Sequence, residues 1–362
     1  MTSSPLRVST PGRVCLFGEH QDYLQLPVIP CAISLRISVE GGPRPDDRVV
    51  LDLPDIGARE EFSLSGPLPY GRERDYFRSA VNVLRRAGYT FSRGVDCRVR
   101  GSIPINSGTS SSSALIVTWV KFLGLMSDQG TDIHPGELAR LAHAAEVLEF
   151  NEPGGMMDHY STAYGGVMAI DFHPGVAVHR LPPIPGSFVL GDSGEPKDTV
   201  GILARVKNRV LRIARQLAER HAGFSLQNIA RSEIETLAHD LPADERELLR
   251  GTVENRDMTL RARALLGGPS PDHRLIGRLL SEHQAVLRDV LKISTPKIDR
   301  MLRAAVGAGA YGGKINGSGG GGCMFVYAPE NPDRAARAIE SEGGRSYIVR
   351  VDDGTRLEGG DA

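Results

Sequence analysis

Apolar and polar positions change rhythm twice along the chain. The first third carries short β-branched runs, LRVST, VCLF, ISLRISVE, RVVLDL and VDCRVR, each cut off by Gly, Pro or Asp, and these predict strands. From Ser112 the apolar spacing becomes three-to-four, so SALIVTWVKFLGLM and PGELARLAHAAEVLEF each predict a packed helix. Further helices are predicted in VGILARVKNRVLRIARQLAERHA, SEIETLAHDL, DERELLRGTVENRDMTLRARALL, RLIGRLLSEHQAVLRDVL and PKIDRMLRAAVGA. Strands return in SFVLGDS, GCMFVYA and SYIVRV. The second half therefore reads as a sheet faced by helices, with a boundary around PPIPG near residues 175–190.

A chain of 362 residues has room for two lobes, and 40% hydrophobic with 24% charged residues is an ordinary globular composition. Lys and Arg number 43 against 44 Asp and Glu, a net charge of −1, so no global field recruits nucleic acid or an anionic membrane. The basic stretch Val206–His221 reads as a solvated helix face. The amino terminus lacks a signal-like apolar run, and no stretch of about 18 apolar residues occurs, so a cytoplasmic protein with no membrane or nucleic-acid partner, monomer or homodimer, is expected. Cys15, Cys31, Cys97 and Cys323 lie far apart without a CxxC pair, which argues against a zinc site and a disulfide scaffold.

Four stretches carry candidate chemistry. SGTSSSSAL, Ser107–Leu115, runs directly into a helical pattern, and a helix N-terminus with small and hydroxyl residues offers N–H and O–H donors to a phosphate or a cation. Alone it fits a serine-rich cap equally well, and it is not a Walker A loop, because no Gly-Lys-Ser/Thr follows. GGKINGSGGGGCMFVYA, Gly312–Ala328, is too rich in glycine for ordinary core and runs into a strand, which suggests close approach of a backbone or ligand. PGRVCLFGEHQDY, Pro11–Tyr23, gathers Arg13, Glu19, His20 and Asp22, polar groups of the kind a polyol needs around it, or else an ordinary charged loop. In AAEVLEFNEPGGMMDHYSTAYGG, Glu146 lies on a helix, and Asp158 sits between MM and HY, where a carboxylate is costly without a partner or a task.

Together these stretches resemble the motifs of the GHMP kinases, the family of galactokinase, homoserine kinase, mevalonate kinase and phosphomevalonate kinase. Pro11–Ile33 is similar to the galactokinase signature, with GRV, GEH and DY at matching spacing, and Ser107–Leu115 and Gly312–Cys323 resemble the family's phosphate loop and Gly-rich motif. The resemblance implies an α+β, two-lobed fold: residues 1–180 an N-terminal lobe with a ribosomal-protein-S5-like left-handed βαβ unit, and 181–362 a ferredoxin-like C-terminal lobe. It implies phosphoryl transfer from ATP to a small-molecule sugar at the anomeric C1 hydroxyl. The alternatives left open are another acceptor, such as a heptose, fucose, uronic acid or mevalonate, and a silent sugar and ATP sensor.

The roles follow from the same resemblance. Asp158 matches the proton-accepting aspartate and Arg13 the arginine beside it. Ser112 and Glu146 match the Mg²⁺ ligands, while Glu19, His20, Asp22 and Gly155 match the sugar-contacting positions. Ser107, Gly108, Thr109, Ser110, Ser111, Ser112, Ser113, Gly317 and Gly319 match those that hold ATP. Thr109 and Ser113 depart from the usual Leu and Ala, and His159 stands where galactokinases commonly have Gln. The segment EPKDTVGILARV lacks a tyrosine-containing stretch that galactokinases carry.

Overall fold

Residues 5–105, 107–196 and 199–359 are described by the computed structural model, and the chain begins with a long antiparallel pair. Strand β1 (Leu6–Phe17) runs against β2 (Ile29–Pro43), so the loop between them hangs from one end of two rigid strands. LRVST and VCLF, which read as separate strands, are one. The register shifts between Pro11 and Gly12, so the ladder absorbs the proline as an irregularity instead of ending there. Strands β3 (Arg48–Leu53), β4 (Ala58–Ser63) and β5 (Val95–Gly101) extend this sheet in the order β2-β5-β3-β4, with β3 and β5 parallel. Strand β6 (Val167–Asp171) pairs with β2 and with β7 (Ala177–Leu181).

Helices α1 (Tyr76–Arg86), α2 (Ser111–Met126), α3 (Pro135–His143) and α4 (Met157–Tyr164) cover this sheet. Helix α2 is apolar nearly all round and is accordingly buried, with Trp119, the only tryptophan, fully enclosed and donating its indole N–H to the Phe77 carbonyl at 3.1 Å. The helix predicted through PGELARLAHAAEVLEF does not continue regularly. After His143 the backbone widens into a π turn over Ala144–Leu148, which turns Glu146 inward.

The second sheet comprises β8 (Phe188–Asp192), β9 (Gly312–Ile315), β10 (Cys323–Tyr327) and β11 (Arg345–Val349) in the order β11-β8-β10-β9, all neighbours antiparallel. In chain order that is 4-1-3-2, the arrangement expected of a ferredoxin-like lobe. Helices α5 (Thr199–Arg220), α6 (Ile234–Leu237), α7 (Ala243–Leu266), α8 (His273–Asp289), α9 (Pro296–Gly307) and α10 (Pro332–Ser341) accompany it. SEIETLAHDL keeps only a 3-10 turn and the single α turn of α6. Leu24 and Leu26, from the loop between β1 and β2, sink into an apolar cluster with Val210, Ile213, Leu249 and Val253, so that loop is clamped between the lobes.

The last strand departs from the expected division at residue 180. Strand β12 (Arg356–Glu358) returns to the first sheet and pairs with β1 through Arg7, Val8 and Ser9. Arg36 ties this return, donating to Asp352 at 2.8 Å and to the carbonyls of Asp353 and Gly354 at 3.0 and 2.8 Å. Gly165 is needed at the crossing. Its φ is +70°, and a Cβ there would meet the Gly354 nitrogen at 1.8 Å.

Candidate active site

Arg13 lies in the middle of β1, and Asp158 occupies the first turn of α4. Nε and Nη2 of Arg13 donate to the two carboxylate oxygens of Asp158, both at 2.8 Å, while Nη1 donates to the carbonyl of Gly108 in the Ser-rich loop. This bidentate geometry fixes the carboxylate in plane and position. Burial alone would push the Asp158 carboxyl up, but the Arg13 charge, the neighbouring Ser110 hydroxyl and the Arg13 hydrogen bonds hold it below its ordinary value. It is therefore anionic at neutral pH.

Asp22 sits beside this pair. Its carboxyl is raised to about 6, first by burial and then by the charge of Asp158, against the lowering effect of the Met157 and Tyr23 backbone N–H groups. Gly155 packs flat on it: a Cβ there would fall 1.9 Å from Asp22 Oδ2. Asp22 and Gly155 thus share one wall.

Glu19 and His20, expected in the same role, have other partners. Glu19 Oε2 accepts from Lys314 Nζ at 2.6 Å and Oε1 from the Gly317 N–H at 3.1 Å, an ion pair whose side chains are 3% and 0% exposed. His20 Nε2 lies 3.0 Å from the Ser318 carbonyl, which only accepts, so Nε2 carries the proton and Nδ1 accepts from the Tyr23 hydroxyl at 2.7 Å. Burial lowers the affinity of this ring for a second proton. Both side chains face the Gly-rich loop.

The Ser-rich loop enters α2 through Ser110, a non-glycine residue with φ +61° and no side-chain cap on the helix. A left-handed serine here is sterically costly, and it leaves the first-turn N–H groups around Ser111–Ser113 open to an anion. Glu146 stands against this terminus with the hydroxyls of Ser112 and Ser113 beside it, and His159 Nε2 hydrogen-bonds its Oε2 at 2.7 Å. Burial raises the Glu146 carboxyl, but the His159 hydrogen bond and charge, with the two hydroxyls, bring it below its ordinary value. His159 Nδ1 has no partner among the described residues. No group of three or more His, Cys, Asp or Glu suited to a metal occurs among the described residues. The hydroxyls of Ser107 and Thr109 bond each other at 2.8 Å and Thr109 is fully buried, so they brace the loop from inside.

The Gly-rich loop completes the site. Gly317 and Gly319 have φ of +83° and +87°, and a Cβ on Gly317 would meet the Gly108 carbonyl at 2.8 Å, so the two loops touch backbone to backbone. Asn316 stitches them, donating to the Gly108 carbonyl at 2.8 Å and accepting from the Cys15 N–H at 2.9 Å. The Cys323 N–H bonds the Ser107 carbonyl at 2.7 Å. Lys314 and Asn316 leave little trace in the sequence, a cation and an amide inside the strand-like run GGKIN.

Residues 75–166 match the family described as GHMP kinases N terminal domain, 262–345 the GHMP kinases C terminal family, and 2–43 the Galactokinase galactose-binding signature. The galactokinase of Roseiflexus sp. (strain RS-1) is 31% identical over 96% of this chain and 91% of its own length. The mevalonate kinase of Thermococcus gammatolerans is 27% identical over 97% of both chains. The crystal structure of Lactococcus lactis galactokinase complexed with galactose superposes with a TM-score of 0.85 at 22% identity, covering 98% of this chain and 95% of that one. No helix among the described residues is long and apolar enough to cross a membrane.

Proposed function

The chain belongs to the GHMP kinase family, and from that membership we propose that it transfers the γ-phosphoryl of ATP to the anomeric C1 hydroxyl of a hexose, with galactose the leading candidate. The observation that carries the reading is the double role of Arg13. One guanidinium holds Asp158 in plane on one side and the Gly108 carbonyl of the phosphate loop on the other, so base and donor site share a single anchor.

In this reading the N–H groups at the start of α2 and the Gly-rich loop around Gly317 and Gly319 receive the phosphates, and Asp22 with Gly155 forms the acceptor wall. The acceptor oxygen attacks the γ-phosphorus, the bond to the β-phosphate oxygen breaks, ADP leaves, and the hydroxyl proton passes to Asp158. Because Asp158 is held anionic, its main work is to orient the hydroxyl and take the proton as the new bond forms, while Arg13 steadies the developing charge. Glu146 and Ser112 fit Mg²⁺, since they set a buried anionic oxygen and a hydroxyl side by side at a helix terminus. Bound there, Mg²⁺ supplies neutralisation of phosphate charge.

The galactose-binding signature over residues 2–43 favours a sugar, and the mevalonate kinase likeness keeps mevalonate as a second reading. An ADP-release assay with ATP and Mg²⁺ against galactose, other hexoses, N-acetylhexosamines, uronic acids, fucose, heptoses and mevalonate decides between them. Phosphate found on a carbon other than C1 overturns the anomeric assignment, and activity on mevalonate alone overturns the sugar.

A further inference from the structure

We propose that Lys314 is a positioning residue: through the buried pair with Glu19 it locks the loop between β1 and β2 to the Gly-rich loop, so that nucleotide binding orders the acceptor side of the site. The proposal rests on the reading of Gly317–Gly322 and Ser107–Ser113 as the phosphate-binding loops.

Lys314 is fully enclosed on β9, where its ammonium meets Glu19 Oε2, the Ile315 carbonyl at 2.8 Å and the face of Phe325 at 5.3 Å from the ring centre. Taking both charges out of water is expensive, and this pair is compensated only in the assembled geometry. Its other carboxylate oxygen holds the N–H of Gly317, the residue whose backbone abuts Gly108. One residue on, His20 reaches the Ser318 carbonyl, and Asn255 of α7 donates to the Glu19 carbonyl at 2.9 Å. Two residues further, Asp22 lies on the acceptor wall. The Glu19–Asp22 stretch and the Gly317–Ser318 stretch are therefore one bonded unit contributed by opposite lobes. Anything that orders Gly317–Gly322 also removes freedom from Gly18–Asp22, and coupling of that kind needs no change of shape.

A neutral double variant, Glu19→Gln with Lys314→Met, separates positioning from mere support. Lys314→Met alone leaves a carboxylate buried and unpaired and is expected to melt at a markedly lower temperature. The double variant carries no unpaired charge and is expected to recover most of that loss. Hydrogen exchange by mass spectrometry is then read with and without the non-hydrolysable nucleotide AMP-PNP and Mg²⁺. In the wild type, nucleotide is expected to slow exchange of peptides covering both Ser107–Ser113 and Gly18–Gln25, the latter by about fivefold or more, within the usual range of coupling between sites. In the double variant the first protection is expected to remain and the second to fall to about onefold.

Nucleotide-induced protection of Gly18–Gln25 that is absent in the wild type, or equal in the double variant, overturns the proposal while leaving the site reading intact. No protection at Ser107–Ser113 in the wild type overturns the site reading, and this proposal with it.

Discussion

Asp22 and Asp158 are neighbouring carboxylates with opposed electrostatics: Arg13 holds Asp158 below its ordinary value, while burial and the charge of Asp158 raise Asp22 to about 6. One is a fixed anion and the other a carboxyl that titrates just below neutrality.

That raised value is a stability statement. An unfolded aspartate titrates near ~3.9, so the folded chain binds the Asp22 proton more tightly, and the cost of ionising it is absent below about pH 4 and complete above about pH 6. Relative to the wild type, Asp22→Asn should be more stable at pH 8 than at pH 4.5, since only the carboxylate pays the cost of ionising in place. Melting curves followed by Trp119 fluorescence check it, and an equal shift at both pH values counts against it. In the wild type the acceptor KM should rise as pH falls through about 6, as the carboxylate gains a proton and loses acceptor capacity.

Replacing Asp158 tests the base. Asp158→Asn keeps the shape but removes the charge facing Arg13, and turnover is expected to fall by about 10²–10⁴-fold with AMP-PNP affinity near normal. The melting temperature should fall too, because Arg13 is only 4% exposed and loses its paired charge. Wild-type turnover would remove Asp158 from the role.

The proposed cation site gives a graded series. Glu146→Gln and Ser112→Ala should each raise the Mg²⁺ concentration for half-maximal AMP-PNP binding, and His159→Ala, which strips Glu146 of the donor at 2.7 Å, should raise it by about tenfold. Calorimetric titration of nucleotide against Mg²⁺ reads all three. An unchanged curve for His159→Ala would show that Glu146 keeps its orientation without the imidazole.

Gly155→Ala probes the proposed acceptor wall by steric means alone. With only 1.9 Å between the new methyl and Asp22 Oδ2, the carboxylate must move, and acceptor kcat/KM is expected to drop by about 10²-fold while nucleotide affinity holds. A parallel loss of nucleotide affinity would place the residue elsewhere in the mechanism.

What was legible from sequence and what was not divides along physical lines. Helix α2 was legible because its apolar run and Ser-rich start are local signals. The continuity of β1 across Pro11 was hidden, since proline and glycine read as breakers and the shifted register that accommodates them belongs to the partner strand. The π turn was hidden because Ala144–Leu148 has good helical composition and only the docking of Glu146 against α2 reveals the widening. The Glu19–Lys314 pair was hidden because its members lie 295 positions apart, and no periodicity connects two charges so distant in the chain.

The return of β12 to the first sheet also sets the order in which the molecule can be made. Synthesis delivers β1 before the second lobe and its neighbour β12 after it, so during translation the edge of β1 at Arg7–Ser9 waits unpaired while the entire second lobe is built. The amino-terminal half is thus never a finished product on the ribosome. A chain that stops short of Arg356 leaves an open strand to which a second nascent copy can add.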